Sequence, residues 1–424
     1  MTNSPARVTI SFFLGCSAAF AAADNANWPQ WRGPDNNGTT PISALPRKVD
    51  AANVLWKAPL PGKGCSTPIV WNQHVYLTAP VGGKDAVLAF DWSGKQVWQT
   101  TFGGEDKGKH RNGSGSNPSP ATDGKGIFVT FKSGNVAALN LDGTIRWQVN
   151  LVEKFGPVSL FWDYGTSPAL TEKNVIIARM HAGESWLAAF DKLTGQVRWK
   201  TARNYETPRE VDQGYSTPLV IPYDGREALL TWGAEHLTVH DAADGKLLWS
   251  CGEFNPSATA LWPAVASPLV ADGVAVVCFG RADKGVPRLH GIKLAGKGDV
   301  TATNRLWQRE DVGAFVPTPA EYKGRVYVLS DRGQLDCLDP RTGKTLWTQT
   351  LPRSSSNFYA SPLVANGIMY AAREDGTVFV LQIDGGFKVL SETKFSDRVI
   401  ASIVPATDRL FVRGEANLYC IAAQ

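Results

Sequence analysis

The segment Asp191-Lys192-Leu193-Thr194-Gly195-Gln196-Val197-Arg198-Trp199 decides the fold, because its pattern, a turn ending in Gly with a Trp four residues later, recurs along the chain. The other complete copies pair Gly94 with Trp98, Gly143 with Trp147, Gly245 with Trp249, and Gly343 with Trp347. Trp56 and Trp307 add two copies with irregular turns, so successive tryptophans stand 40 to 58 residues apart. A period of this length is typical of repeat architectures.

Each period contains four short segments that are typical of strands. In the first complete period they are residues 66–70, 74–78, 86–91 and 95–99, which are rich in β-branched and aromatic residues and bounded by Gly, Pro or Asp. Four such strands predict one propeller blade, with Gly taking the positive φ of the turn between the third and fourth strands. The Trp of the fourth strand is expected to cover the gap to the neighbouring blade.

A Ser or Thr precedes each inner strand, and Pro follows it in all but the last copy. The eight copies are Thr67, Ser119, Ser167, Thr217, Ser267, Thr318, Ser361 and Ser402. Eight inner strands are matched by eight outer strands only if residues 54–60, around Trp56, complete the last blade. We therefore predict an all-β, eight-bladed β-propeller of four-stranded antiparallel blades, closed by pairing of the N-terminal strand with the C-terminal blade.

The sequence predicts three segments. Residues 1–23 have the pattern of an export signal, with Arg7, an apolar stretch and then Ala21-Ala22-Ala23. Residues 24–53 show no strand alternation, which predicts an irregular arm packed on the propeller by Trp28 and Trp31. Residues 54–424 form the propeller itself.

The export signal has two interpretations. Cleavage after Ala23 gives a periplasmic or secreted protein. Alternatively, Phe13-Leu14-Gly15-Cys16 is a lipoprotein box, which would make the chain an outer-membrane lipoprotein acylated on Cys16.

Composition and cysteine spacing exclude several classes of function. The chain is 43% hydrophobic and 19% charged, and its net charge of +4 comes without any run of basic residues, which argues against nucleic acid binding. The five cysteines beyond the signal form no CxxC motif and no adjacent pair, so we expect buried thiols rather than metal ligands. These cysteines are Cys65, Cys251, Cys278, Cys337 and Cys420.

No complete catalytic or metal motif is present. His236 and His240 alternate on a strand, which at ~3.3 Å per residue separates their rings by roughly 13 Å, too far for one zinc ion. Gly113-Ser114-Gly115-Ser116-Asn117 lacks the Lys of a P-loop and a following helix. We therefore assign no catalytic residue and no metal ligand.

The loops before the inner strands carry aromatic and polar residues that are expected to meet at one rim of the channel. Rings drawn from several blades can stack a flat ligand, a sugar or an inserted peptide, or they can simply fill the centre of a wide ring. The candidate rim for a ligand or partner comprises Trp162, Asp163, Tyr164, Tyr215, Trp262, Phe315, Phe358, Tyr359, His110, Arg111 and Arg398.

The repeat, best seen from Ala189-Phe190-Asp191 through Gly195 to Trp199, resembles the pyrroloquinoline-quinone (PQQ) type of propeller repeat. This resemblance extends from about Val54 to Gln424. The opening Trp28-Pro29-Gln30-Trp31-Arg32-Gly33-Pro34 is similar to that of secreted PQQ-like propellers. Two groups of proteins share the repeat: the quinoprotein alcohol dehydrogenases and the non-catalytic BamB type of outer-membrane assembly proteins.

The resemblance implies a non-enzymatic, exported interaction scaffold of the BamB type. The dehydrogenases hold their quinone beneath two adjacent cysteines and use a Glu-Asn-Asp calcium set, and neither can be placed on this sequence. No cofactor is therefore expected, the partners are envelope or outer-membrane proteins, and membrane contact requires a lipid on Cys16. The alternative is a propeller related to the quinoprotein dehydrogenases, a PQQ-type oxidoreductase with calcium or a binder of another small ligand.

Overall fold

Eight antiparallel sheets form an eight-bladed β-propeller in the computed structural model, which describes residues 27–423. The interpretations of residues 1–23, Cys16 included, concern a segment outside the described residues. Each of the eight sheets contributes four strands to its blade, and the outer strand of the last blade comes from the other end of the chain. The predicted fold class is confirmed.

The first four blades follow the chain in order. Their strands are Ile69–Trp71, His74–Val81, Lys84–Phe90 and Gln96–Gly104 in blade 1; Ala121–Thr122, Ile127–Thr130, Asn135–Leu139 and Ile145–Asn150 in blade 2; Ala169–Leu170, Asn174–Arg179, Trp186–Asp191 and Val197–Ala202 in blade 3; Leu219–Tyr223, Arg226–Gly233, His236–Asp241 and Leu247–Cys251 in blade 4.

The last four blades continue this order and end with a strand from the N-terminal side. Their strands are Leu269–Ala271, Val274–Arg281, Val286–Lys293 and Arg305–Arg309 in blade 5; Ala320–Tyr322, Arg325–Leu329, Gln334–Leu338 and Thr345–Thr350 in blade 6; Leu363–Ala365, Ile368–Ala372, Thr377–Gln382 and Lys388–Lys394 in blade 7; Val404–Ala406, Arg409–Arg413, Asn417–Ala422 and Val54–Pro59 in blade 8.

Four short helical segments and two extra strands lie between these elements. The α-helices are Leu151–Phe155 and Thr301–Asn304, and the 3₁₀ turns are Ala51–Asn53 and Ala282–Lys284. Gly298–Asp299 adds a parallel strand to the outer edge of blade 4. Val54–Pro59 pairs antiparallel with Asn417–Ala422, so the ring is closed by the N-terminal strand as the strand count predicts.

The repeated Trp and Gly belong to neighbouring blades. A Cβ atom at Gly195 would lie 2.6 Å from Cδ2 of Trp147, and the indole Nε1 of Trp147 donates a hydrogen bond to Lys192 O at 2.9 Å. Gly195 also has a φ of +70°, a region that disfavours other residues. The same docking joins Trp56 to Gly94, Trp98 to Gly143, Trp199 to Gly245, and Trp307 to Gly343. At these five boundaries, a Trp ring of one blade packs on the turn Gly of the next blade.

A ring of hydrogen bonds joins the blades around the channel. The backbone N–H of Ser119 donates to Ser167 Oγ at 2.9 Å, and that of Ser167 donates to Thr217 Oγ1 at 3.0 Å. This bond is repeated at every blade boundary, at 2.8 to 3.1 Å, and the last one runs from Ser402 N back to Thr67 Oγ1. We call these eight residues the collar: Thr67, Ser119, Ser167, Thr217, Ser267, Thr318, Ser361 and Ser402.

The collar explains why Ser or Thr precedes every inner strand. An inner strand has no neighbouring strand on its channel side, so a backbone N–H there needs another acceptor. The short side chain of Ser or Thr provides this acceptor to the preceding blade. Ser402, which is followed by Ile403 instead of Pro, still makes both of its collar bonds. The hydroxyl group, rather than Pro, is therefore what the ring requires.

The N-terminal arm crosses the end of the channel opposite the rim. Trp28 pairs antiparallel with Val70 at the inner edge of blade 1, and the buried Arg32 donates to Pro319 O and Pro362 O of blades 6 and 7. Thr39–Thr40 then pairs in parallel with Leu363–Ala365. The arm is thus less irregular than the sequence predicts, because the unpaired inner edge of blade 7 offers it a strand partner.

Removing one collar hydroxyl should weaken the whole ring. Ser167→Ala leaves the buried N–H of Ser119 without an acceptor, so we expect the free energy of unfolding to fall by about 1–3 kcal/mol. Ser167→Thr keeps the hydroxyl, since Thr already occupies three other collar positions, and its free energy of unfolding should fall much less. Chemical denaturation measures both variants, and equal losses would contradict the assigned role of the hydroxyl.

Candidate functional site

A cavity of about 360 Å³ lies on the propeller axis. Its floor is the indole of Trp31, whose Nε1 donates to Ser402 Oγ at 3.4 Å. Its waist is formed by collar residues, six of which line it: Thr67, Ser119, Ser167, Thr217, Ser361 and Ser402. Because the arm occupies the floor, the cavity is a cup that opens toward the rim. We refer to it below as the cup.

The rim consists of the loops that enter each inner strand and the turns between the second and third strands, because these connections lie at the same end of an antiparallel blade. The entry loops of blades 3 to 5 are long and bonded to one another. Gly214, in the loop entering blade 4, forms bridges to Met180 of blade 3 and to Ala264 in the loop entering blade 5. These loops therefore form one continuous wall.

Six of the eleven candidate residues line the cup. They are His110, Trp162, Asp163, Tyr215, Phe315 and Tyr359. They come from the loops that enter blades 2, 3, 4, 6 and 7. The structure thus brings together side chains that are up to about 250 residues apart in the sequence.

Asp163 is a buried carboxylate that fixes the loop beside it. Its oxygens accept from the backbone N–H groups of Lys109 at 2.8 Å and His110 at 3.0 Å, and Lys132 Nζ lies 3.1 Å away. The ring of His110 meets that of Trp162 edge to face at 4.9 Å. Burial, followed by the charge of the neighbouring Arg111, lowers the pKa of His110. His110 is therefore an uncharged hydrogen-bonding group of the wall at neutral pH.

The opposite wall carries a paired arginine and a buried acid. Arg281 lies over the Phe315 ring at 4.3 Å and forms an ion pair with Asp283 at 2.7 Å. Behind Phe315, Asp331 accepts from the N–H groups of Phe315 and Val316 at 2.7 and 3.1 Å. Burial raises the pKa of Asp331 to about 6. The wall is therefore built from matched hydrogen bonds and an ion pair.

Three of the candidate aromatic residues do not reach the cup. Tyr164 is only 2% exposed and lies against the guanidinium of Arg179, and Phe358 packs on Phe379. Trp262 lines a separate pocket of about 80 Å³ near blade 5. Each ring takes part in packing, because its side chain points toward the blade body rather than the axis.

Arg111 and Arg398 lie outside the cup as well. Both pair with the buried carboxylate of Glu374, at 3.6 and 2.9 Å, and Arg398 also bonds to Asn112 Oδ1. They therefore join blades 7 and 8 to the loop entering blade 2.

Sequence reasoning missed several residues of the cup. Trp31, Cys65, Arg281 and Asp283 line it, and the collar hydroxyls form its waist. The repeated Ser or Thr before each inner strand was the signal for the collar. Trp31 carried no such signal, since its place depends on the path of an arm without repeats.

The described residues show little that could hold a metal or form a disulfide. Within residues 27–423, no group of three or more His, Cys, Asp and Glu side chains is arranged to hold a metal ion. The five cysteines in this range are unpaired, four of them buried and Cys65 partly so, in agreement with the expected thiols. No helix in the same range is long and apolar enough to span a bilayer.

Comparison with known proteins identifies relatives over most of the chain. The family model described as outer membrane protein assembly factor BamB matches residues 48–184, 183–294 and 296–390. Outer membrane protein assembly factor BamB of Yersinia pestis is 25% identical over 334 residues, which are 77% of this chain and 78% of the relative.

Two solved structures share the fold. BamB from Moraxella catarrhalis aligns with a TM-score of 0.61 at 14% identity, covering 87% of this chain and 96% of that chain. Quinohemoprotein alcohol dehydrogenase from Comamonas testosteroni aligns with a TM-score of 0.66 at 14% identity, covering 95% of this chain and 81% of that chain. At such low identity these alignments support the architecture alone.

Proposed function

The chain belongs to the family described as outer membrane protein assembly factor BamB, and from this premise we propose that it is a non-enzymatic scaffold that binds other envelope proteins. The proposal places it outside the cytoplasm, either free in the periplasm or anchored through a lipid on Cys16. Its partners are proteins of the outer membrane or of the machinery that assembles them.

The observation that carries this proposal is a pair of apolar side chains presented to solvent on the rim. Phe161, in the loop entering blade 3, is 60% exposed, and Leu261, in the loop entering blade 5, is 38% exposed. Exposed apolar residues beside polar loops are typical of protein interfaces, where a few aromatic anchors supply most of the binding energy. The rim near blades 3 to 5 is therefore the proposed partner surface.

These two side chains are held in place before any partner binds. The N–H of Phe161 donates to Gln213 Oε1 at 2.7 Å, and its ring packs on Trp162 at 4.7 Å. Leu261 has a φ of +66°, a strained conformation, and its N–H donates to Arg209 O at 3.1 Å. Such preorganisation lowers the entropy that binding must overcome.

Cross-linking in intact cells tests the scaffold. A photo-reactive amino acid at position 161 or 261 should cross-link to an envelope protein, because both positions face the proposed partner. Leu193 is the matched control, since it is 75% exposed but lies in a turn at the opposite end of blade 3. Absence of a product from both rim positions, or the same product from position 193, would contradict the proposal.

The cup favours a second candidate function, the binding of PQQ or another small ligand. A flat molecule could stack between Trp31 at the floor and the aromatic residues at the open end of the cup, Trp162, Phe315 and Tyr359. Against this, the chain has no adjacent cysteines and, within residues 27–423, no cluster of side chains suited to calcium as a PQQ partner. Titration of the purified protein with PQQ and calcium, followed by Trp fluorescence, tests PQQ itself; no saturable quenching at millimolar concentration would remove PQQ as the ligand.

A further inference from the structure

The collar has hydrogen-bond donors that no acceptor among the described residues uses. Each collar oxygen accepts a backbone N–H, but none of the eight hydroxyls donates to an acceptor within residues 27–423. Ser402 Oγ accepts from both Ser361 N and Trp31 Nε1, so its hydrogen remains to be donated. Asn112 also lines the cup; it is 9% exposed, and its Nδ2 has no partner in the described part of the chain. The cup therefore offers donors without matching acceptors.

Three buried arginines beside the cup lack a carboxylate partner among the described residues. Arg32 follows the floor residue Trp31, Arg179 lies 3.6 Å from the centre of the Tyr164 ring, and Arg413 donates to Ser66 O, next to the collar. Each is at most 3% exposed, and each keeps at least one nitrogen without an acceptor in residues 27–423.

Burial lowers the pKa of Arg32 to about 9 and that of Arg413 to about 10, which reflects the cost of uncompensated charge.

The acids near the cup do not balance these charges. Asp163 and Asp283 line the cup, but each already pairs with a cation, Lys132 and Arg281 respectively. Asp331 behind the wall and Asp397 in the loop entering blade 8 are held by N–H groups rather than by a cation, so two carboxylates stand against three arginines. The environment of the cup therefore favours an anion, because charges in a region of low dielectric act over several ångströms.

The open end of the cup, which we call its mouth, adds a second requirement: the ligand must have a flat, apolar part. Trp162, Phe315 and Tyr359 line it from three different blades, and Trp31 closes the floor. Aromatic rings stack on planar ligands and exclude water from charged groups beneath them. A ligand that fits must therefore carry an aromatic body and an anionic end.

We propose that the cup binds an aromatic carboxylate, with its ring among the mouth residues and its carboxylate facing the collar hydroxyls. The proposal rests on the second candidate function, the binding of a small ligand in the cup, and names the chemical class of that ligand; it is independent of the scaffold role, which concerns the exposed residues Phe161 and Leu261. Carboxylate oxygens can accept from several hydroxyls, and hydrogen bonds to an ionised acceptor are the strong ones. The ligand is either a free small acid or the C-terminal residue of a polypeptide, which have the same chemistry at this site.

Calorimetric titration with matched probes tests this proposal. N-acetyl-phenylalanine, with a free carboxylate, should bind saturably and at least about tenfold more tightly than N-acetyl-phenylalaninamide, which differs only at the charged end. Trp162→Ala should weaken binding of the acid about tenfold, while the control Trp92→Ala, in a turn at the opposite end of blade 1, should leave it unchanged. Circular dichroism confirms that both variants are folded.

A second titration distinguishes the two sources of the ligand. A short peptide ending in Phe with a free carboxylate that binds at least as tightly as the acid would support a polypeptide C-terminus, whereas binding of the free acid alone would support a small molecule. Equal affinity for acid and amide, or no saturation by either at millimolar concentration, would overturn the proposal. The scaffold role would stand in that case, because its test uses positions outside the cup.

Discussion

The closed ring of hydrogen bonds between backbone N–H groups and Ser or Thr hydroxyls is the constraint on which the rest of this structure depends. The blades of a propeller give the channel side of an inner strand no strand partner, and an unpaired buried N–H costs about 1–3 kcal/mol. Eight collar bonds at about 1 kcal/mol net each are comparable with the ~5–15 kcal/mol net stability of a typical protein. The collar also sets the distance between blades, so the rim loops start from fixed positions. At the outer edge, five Trp–Gly contacts between neighbouring blades serve the same purpose.

Much of this architecture could be predicted because its parts repeat. The repeated spacing seen from Gly195 to Trp199 predicts the blades, and the eight Ser or Thr residues before inner strands predict their number. Eight complete blades then require Val54–Pro59 to close the ring. The arm could be predicted only in outline. Its strand Thr39–Thr40 exists because blade 7 provides a free edge, and nothing within the arm itself signals a strand.

The candidate site was harder to predict, because one-dimensional position does not determine where a side chain points. Trp162, Tyr215, Phe315 and Tyr359 line the cup, whereas Tyr164, two residues from Trp162, turns into the blade and lies over Arg179. Arg281 enters from the end of the strand Val274–Arg281, a position that no sequence pattern distinguishes. The exposed apolar residues of the rim and the cup with its unused donors are thus different surfaces, and they adjoin where Phe161 packs on Trp162.

Amide hydrogen exchange at the eight collar residues tests the central claim most directly. If the collar closes the ring, the N–H groups of Thr67, Ser119, Ser167, Thr217, Ser267, Thr318, Ser361 and Ser402 should all exchange only through global unfolding, with protection that corresponds to the full unfolding free energy. Fast exchange at several of these positions, in a protein whose blade strands remain protected, would contradict the account.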